Sequence, residues 1–261
     1  MKWKSKDGME IEGVLTRPVG YTAGAKVPFL LNPHGGPTGA SLNTFSGTVQ
    51  VLAANGFAVL QPNFRGSTGK GLTFAQANKN TWGKGDYEDC MTGVDAMIAK
   101  GIADPDRLGA FGWSYGGYMT FWILTQTDRF KAVSRRGPDE YLFDVFAERH
   151  PEIPRAGSIR TRRRGMQPDL YWDRSPMKYV KNVKTPTMIM HGQVDTRVPL
   201  AQAQEFYHGP ERNEGAGRVR GLSAREPWLH RTATSDGSRP AIREVFREVS
   251  EHAGGHRAGR K

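Results

Sequence analysis

Arg107-Leu108-Gly109-Ala110-Phe111-Gly112-Trp113-Ser114-Tyr115-Gly116-Gly117-Tyr118-Met119 passes from a short apolar strand pattern, through glycines, into an apolar helix pattern. The glycines permit a tight turn between the two elements. A serine in that turn is lifted above the sheet edge, and the helix behind Ser114 directs backbone N–H groups and a positive dipole end toward developing negative charge. Gly-x-Ser-x-Gly alone is weak in a chain with 32 glycines. The strand before it and the helix after it make it specific; the plain alternative is a Gly-rich turn with an incidental serine.

On both sides of this turn the same alternation recurs. Trp3 to Leu15 alternates around the turn dipeptide Asp7-Gly8, which predicts a β-hairpin. Val27 to Leu31 reads as a buried strand, Val49 to Asn55 as a short helix stopped by Gly56, and Phe57 to Leu60 as a second buried strand ending in the loop Gln61 to Gly71. Asp86 to Lys100 has acids in its first turn and Gly101 past its end, the start and stop signals of a helix. Arg107 to Phe111 is a strand, Tyr115 to Thr125 a helix, Lys131 to Ser134 and Thr187 to His191 further strands, and Leu200 to His208 a helix. This order predicts an α/β fold: a mostly parallel twisted sheet with helices on both faces and ligands beyond the carboxyl ends of the strands.

Composition narrows the class. The chain has 261 residues, 37% of them hydrophobic, enough for one α/β domain of ordinary size. A single cysteine, Cys90, excludes an internal disulfide framework and a Cys-rich zinc site. No apolar stretch is long enough to span a membrane, and no apolar signal-peptide core follows Lys6, so a cytoplasmic location is expected. The net charge of +11 raises the question of nucleic acid, but its distribution answers against it. Residues 135–166 and 209–261 together hold 18 Arg and one Lys, whereas the rest of the chain holds 6 Arg and 12 Lys. Arg162-Arg163-Arg164 lacks interleaved aromatics and any known binding module. Neither segment shows periodicity, and 209–225 has few apolar residues where a last core strand is expected.

Two more loops complete the candidate chemistry. His34-Gly35-Gly36-Pro37 follows the first core strand, where a second oxyanion donor is expected, so the N–H groups of Gly36 and Tyr115 form the candidate pair. His34 precedes the turn and would have to reach across the site, which favours a structural role. Asp195, in the loop His191-Gly192-Gln193-Val194-Asp195, is the candidate triad acid, its plain alternative being a loop cap before the helix at Leu200. Asp86, Glu88 and Asp89 read as helix dipole and cap groups.

From Trp3 to Ser134, and again from Pro168 to His208, the chain resembles the catalytic domain of the prolyl oligopeptidase family, in its dipeptidyl and acylaminoacyl peptidase branch. The resemblance is carried by Asn63-Phe64-Arg65-Gly66-Ser67-Thr68-Gly69, Trp82-Gly83, Asp86-Tyr87-Glu88-Asp89, Gly112 to Met119, Ser175-Pro176, and His191-Gly192 through Pro199. It implies an α/β-hydrolase fold with Ser114 as nucleophile, Asp195 as triad acid, and Gly36 and Tyr115 as oxyanion donors. It implies no metal and no organic cofactor. Two of the family's parts lack a counterpart in the sequence: the amino-terminal β-propeller and the block that carries the catalytic histidine.

The family's histidine, followed by glycine, stands just beyond a last core strand, where this chain reads Glu226-Pro227-Trp228-Leu229. Gly221 to Asp236 can be written, with synonymous codons so chosen, that the same letters read from their second base give Val-Tyr-Pro-Arg-Glu-Ser-His-Gly-Phe-Thr-Glu-Pro-Arg-His-Gln, which is similar to the family's strand and histidine loop. Pro138 to Asp144 treated in this way gives Pro-Thr-Asn-Ile-Phe-Ser-Met, again similar to the family. Residues 135–166 therefore read as an anomalous segment within a catalytic domain spanning 1–208, and 209–261 as an out-of-frame tail in place of the last strand, histidine loop and helix. Genuine divergence of two surface regions is the alternative. Among the present histidines His230 has the best position for a base, although Arg231 follows it and no strand is expected before it; His150 and His208 come too early, and His252 and His256 lie in a Gly-rich tail.

These readings converge on a serine hydrolase of peptidase type acting on a peptide or small ester, with no nucleic-acid or membrane partner. A carboxylesterase, and a catalytically impaired remnant without its triad histidine, are the alternatives. The oligomeric state and the substrate side-chain preference are not legible.

Overall fold

The computed structural model describes residues 1–136, 168–192, 200–211 and 219–224. The chain opens with the expected hairpin, strands β1 (Lys2–Lys4) and β2 (Glu10–Thr16), paired antiparallel around Asp7-Gly8. Gly8 takes φ +84° at the turn, and the Asp7 carboxylate accepts the Met9 N–H. Strand β3 (Val27–Leu31) leads to helix α1 (Gly47–Ala54), which starts at the Ser46 cap and gives way through Gly56 to β4 (Ala58–Asn63). Helices α2 (Leu72–Gln76) and α3 (Gly85–Ala99) precede β5 (Ala103–Trp113), α4 (Tyr115–Gln126) and β6 (Ala132–Arg136). After α5 (Pro168–Asp173) and a 3-10 turn (Pro176–Asn182) come β7 (Thr187–Gly192), α6 (Leu200–Glu211) and β8 (Val219–Ala224).

Among the described residues the eight strands form one sheet in the order β1-β2-β4-β3-β5-β6-β7-β8. The pairs β1–β2 and β2–β4 are antiparallel; every pair from β4 to β8 is parallel. Strand residues alternate between two cores, as the two-residue period of a pleated sheet requires. Phe29, Leu31, Leu60, Leu108 and Ala110 join α3 and α4 on one face, and Leu30, Val59 and Phe111 join Val49 and Leu52 of α1 on the other. Helix α4 is buried along its whole length from Tyr115 to Thr125, which explains its uncharged, mostly apolar sequence; its two threonine hydroxyls donate to carbonyls of the helix itself.

One expectation is corrected here. Val219–Ala224, in a stretch without a strand signal, pairs parallel with β7 in register from Thr187↔Val219 to Gly192↔Ala224. Among the described residues β8 is the last strand of the sheet, and the backbone ladder to β7 holds it, so a stretch with few apolar residues suffices. A strand therefore does stand before His230, although His230 itself, Asp195, and Arg162 to Arg164 lie outside the described residues.

Candidate active site

Ser114 sits between the last residue of β5 and the first of α4, at φ 55° and ψ −124°. A side chain with a Cβ is costly there, on the order of 1–3 kcal/mol, and such strain persists only where the surroundings fix it. The surroundings are glycine contacts. A Cβ on Gly112 would lie 2.2 Å from the Gly116 carbonyl oxygen, and one on Gly116 would lie 2.2 Å from that of Pro33. Only glycine at both positions lets β5, the start of α4 and the loop after β3 close on one another. The carbonyl of Ser114 accepts the N–H groups of Gly117 and Tyr118, closing the first turn of α4. The Tyr115 N–H, at the head of that helix, belongs to the first turn, whose donors have no intrahelical acceptor.

The loop after β3 lies against this turn. A Cβ on Gly35 would be 3.3 Å from Ser114 Cβ and 3.8 Å from its Oγ. Gly36 takes φ +140°, and a Cβ there would meet the Thr38 and Gly39 nitrogens at 2.5 and 2.6 Å. The loop is pinned at several points. His34 Nε2 is 2.7 Å from Ser67 Oγ, its ring stacks on Phe64 at 4.4 Å, and Thr68 N–H donates to the Gly39 carbonyl. The Asn63 side chain accepts the Ser41 N–H and donates to its carbonyl. Burial lowers the His34 pKa, keeping the ring neutral. His34 thus anchors the glycine loop to the segment after β4.

The acids at the start of α3 do more than cap a helix. Asp86, fully buried, accepts the N–H groups of Tyr87 and Gly83 as a cap would, but its Oδ2 also accepts the Tyr115 phenol at 2.5 Å. Asn78 Nδ2 donates to that phenol oxygen at 3.1 Å. Burial pushes the Asp86 carboxyl up to about 6, against the lowering effect of the Tyr115 and backbone hydrogen bonds. Asp89 instead receives the Arg65 guanidinium on both oxygens. Asp86 and Asn78 were not distinguishable as site neighbours in sequence; the only signal is that three acids in one turn exceed what capping needs.

All candidate positions follow the carboxyl ends of parallel strands. Gly36 comes after β3, Ser114 directly after β5, Asp195 three residues after β7, and His230 six after β8. β3 and β5 are neighbours, which brings the loop after β3 against Ser114 at Gly35; Asp195 and His230 lie outside the described residues. Among the described residues no group of three His, Cys, Asp or Glu is placed to hold a metal ion, and no helix is long and apolar enough to cross a membrane.

A strained serine between a central parallel strand and a buried helix, with a glycine loop packed against it, is the nucleophile-elbow arrangement of the α/β-hydrolase fold. The chain belongs to the prolyl oligopeptidase family, whose model matches residues 43–214. It is 38% identical over 220 residues to an uncharacterised peptidase of Bacillus subtilis (strain 168), covering 79% of this chain and 32% of that protein. It is 31% identical over 196 residues to the acylamino-acid-releasing enzyme of Arabidopsis thaliana, covering 69% of this chain and 24% of the relative. Its structure matches that of an acylaminoacyl peptidase in complex with Z-Gly-Gly-Phe-chloromethyl ketone with a TM-score of 0.79, at 29% identity, over 95% of this chain and 40% of that one. The chain thus spans about a third or less of the length of these curated relatives.

Proposed function

We propose that the protein is a serine-type oligopeptidase or aminopeptidase that cleaves acyl bonds of peptides through an acyl-Ser114 intermediate. The observation that carries this reading is the backbone of Ser114, φ 55° and ψ −124°, held beside the Gly35-Gly36 loop. A base takes the Ser114 hydroxyl proton as Oγ attacks the carbonyl carbon, and the carbonyl electron pair moves onto oxygen. The Gly36 and Tyr115 N–H groups receive that oxyanion. The base then gives its proton to the departing amine, and water releases the acyl group by the same steps. Asp195 is the acid that orients the base. His230, six residues beyond β8 in the sequence, is the candidate base of the present chain.

The proposal takes a peptide as substrate, without nucleic-acid or membrane partner, in the cytoplasm, where the single buried Cys90 stays reduced. The experiment labels the protein with a fluorophosphonate and compares kcat/KM on a peptide anilide and on a nitrophenyl ester. Labelling abolished by Ser114→Ala, with turnover of the anilide, is the expected result. Labelling that persists in Ser114→Ala overturns the nucleophile, and turnover of the ester alone makes the protein a carboxylesterase. Labelling without turnover of either marks an impaired remnant.

A further inference from the structure

The Tyr115 side chain is fully buried, and its phenol is held from two sides by residues of two different segments. It donates to Asp86 Oδ2 at 2.5 Å and accepts from Asn78 Nδ2 at 3.1 Å. Neither partner is there for local reasons alone. The Asp86 carboxylate could cap α3 through the Gly83 and Tyr87 N–H groups from an exposed position, yet it is sunk beneath the elbow, where an ionised carboxyl is costly. Asn78 leaves its own Oδ1 buried without a hydrogen-bond partner among the described residues while its amide nitrogen serves the phenol. Its position is fixed by Gly66, where a Cβ would collide with Asn78 Cβ at 2.7 Å. Trp82 closes the remaining side, its ring edge-on to Tyr115 at 5.0 Å.

The backbone N–H of Tyr115 is a candidate oxyanion donor, and its direction follows from where the rest of the residue is held. Tyr115 is the first residue of α4 and directly follows a strained serine, so the turn would relieve its strain by rotating the Ser114–Tyr115 peptide. A phenol clamped at the far end of the side chain opposes that rotation. We infer that Asp86 and Asn78 are positioning residues of the acyl-transfer site, acting through the Tyr115 phenol to keep the Tyr115 N–H aimed at the oxyanion. This rests on the acyl-Ser114 reading given above. Hydrogen-bond donors of this kind contribute to rate only when preorganised, so loosening the clamp lowers the rate of attack and leaves substrate binding largely intact.

The test uses the full chain and its Asp86→Asn, Tyr115→Phe and Asp86→Asn/Tyr115→Phe variants, with Asn78→Ala as a fourth. Second-order rate constants for fluorophosphonate modification of Ser114 are measured beside kcat and KM on a peptide anilide, with the unfolding midpoint of each variant. Each single substitution is expected to slow modification about ten-fold. The double variant should be no slower than the slower single, because both act through one contact. KM should change less than two-fold. Folded variants modified at the parent rate, or a double variant whose loss is the product of the two singles, overturn the inference while leaving Ser114 as nucleophile. If Asp86→Asn does not fold, Tyr115→Phe and Asn78→Ala, which keep the buried carboxylate, decide the matter by the same rate. A parent protein whose label does not depend on Ser114 overturns the acyl-Ser114 reading and the inference with it.

Discussion

Asp89 grips Arg65 with both carboxylate oxygens, Oδ1 2.7 Å from Nη2 and Oδ2 2.9 Å from Nε, and Oδ2 also accepts the Arg65 backbone N–H at 2.7 Å. The hydrogen bonds to Asp89 raise the guanidinium pKa further, so Arg65 stays charged throughout any working range. The outer face of Arg65 reaches Asp7 in the β1–β2 turn. One arginine thereby ties the opening hairpin, the segment after β4 and the start of α3, and that segment carries Ser67 and Thr68, which pin the glycine loop. Removing one partner of a buried bidentate pair leaves the other charge uncompensated. Asp89→Ala should lower the unfolding free energy by about 3–5 kcal/mol. Asp7→Ala, at the exposed end, should cost about 1 kcal/mol or less. Urea denaturation of both variants checks the ranking, and equal losses would contradict it.

Asp86 gives the fold a pH signature. Its carboxyl is pushed from 3.8 to about 6 by burial, with the Asp89 charge adding to the rise. Between about pH 4 and pH 6 the folded chain keeps a proton that the unfolded chain has released, so this group's contribution falls as pH rises through that window and is flat above it. The drop is about 3 kcal/mol, the full shift at about 1.4 kcal/mol per unit. Tyr115, Tyr118 and Cys90, which also surround the carboxyl, are held by burial above their ordinary values and do not titrate in the window. Comparing the parent with Asp86→Asn by denaturation from pH 4 to pH 7 cancels the remaining carboxylates. A stability difference that stays constant across that range would show that Asp86 does not titrate there.

Gly36 should tolerate no side chain. With φ +140° and a Cβ 2.5 Å from the Thr38 nitrogen, Gly36→Ala must displace the backbone that carries the candidate oxyanion donor. Anilide turnover should fall by about 10²–10³, the usual effect of losing one such donor. Gly20, at φ +73° with open space around it, is the control, and Gly20→Ala should leave kcat unchanged. Equal kinetics for the two variants would place the oxyanion elsewhere.

The identity of the base is decided by the gene. If residues 209–261 are read in a shifted frame, deleting one base near Gly209 restores a His-Gly loop and raises turnover by several orders of magnitude, on the scale of about 10⁶ that a missing triad histidine can cost. If His230 is the base, the present protein turns over and His230→Ala abolishes it. Assaying the repaired gene, the present gene and His230→Ala together separates the two.

Much of this architecture was legible because punctuation and period agreed. Val27 to Leu31 has the bounds found in the structure, α3 differs from expectation by one residue at each end, and α4 by one residue at its end. β5 starts earlier than Arg107, and its start is hidden in the sequence because Asp104-Pro105-Asp106 carries turn chemistry, with the Asp106 N–H on Asp104 Oδ1, inside a strand whose pairing with β3 is irregular there. Helix α2 and the 3-10 turn are too short to show a period. β8 lacks the apolar run that a sheet edge does not need. For the site, glycine spacing marked the Ser114 turn and the Gly36 loop, but nothing local distinguishes Asp86, whose partner Tyr115 is 29 residues away.

The sheet order also sets a sequence of events in time. β1, β2, β4, β3 and β5 are contiguous in the sheet and come from residues 2–113, so the half that holds Ser114 and the glycine loop is complete before β7 and β8 are synthesised. In a growing chain the strands that lead to the Ser114 turn and the glycine loop therefore emerge before the positions of the candidate acid Asp195 and the candidate base His230.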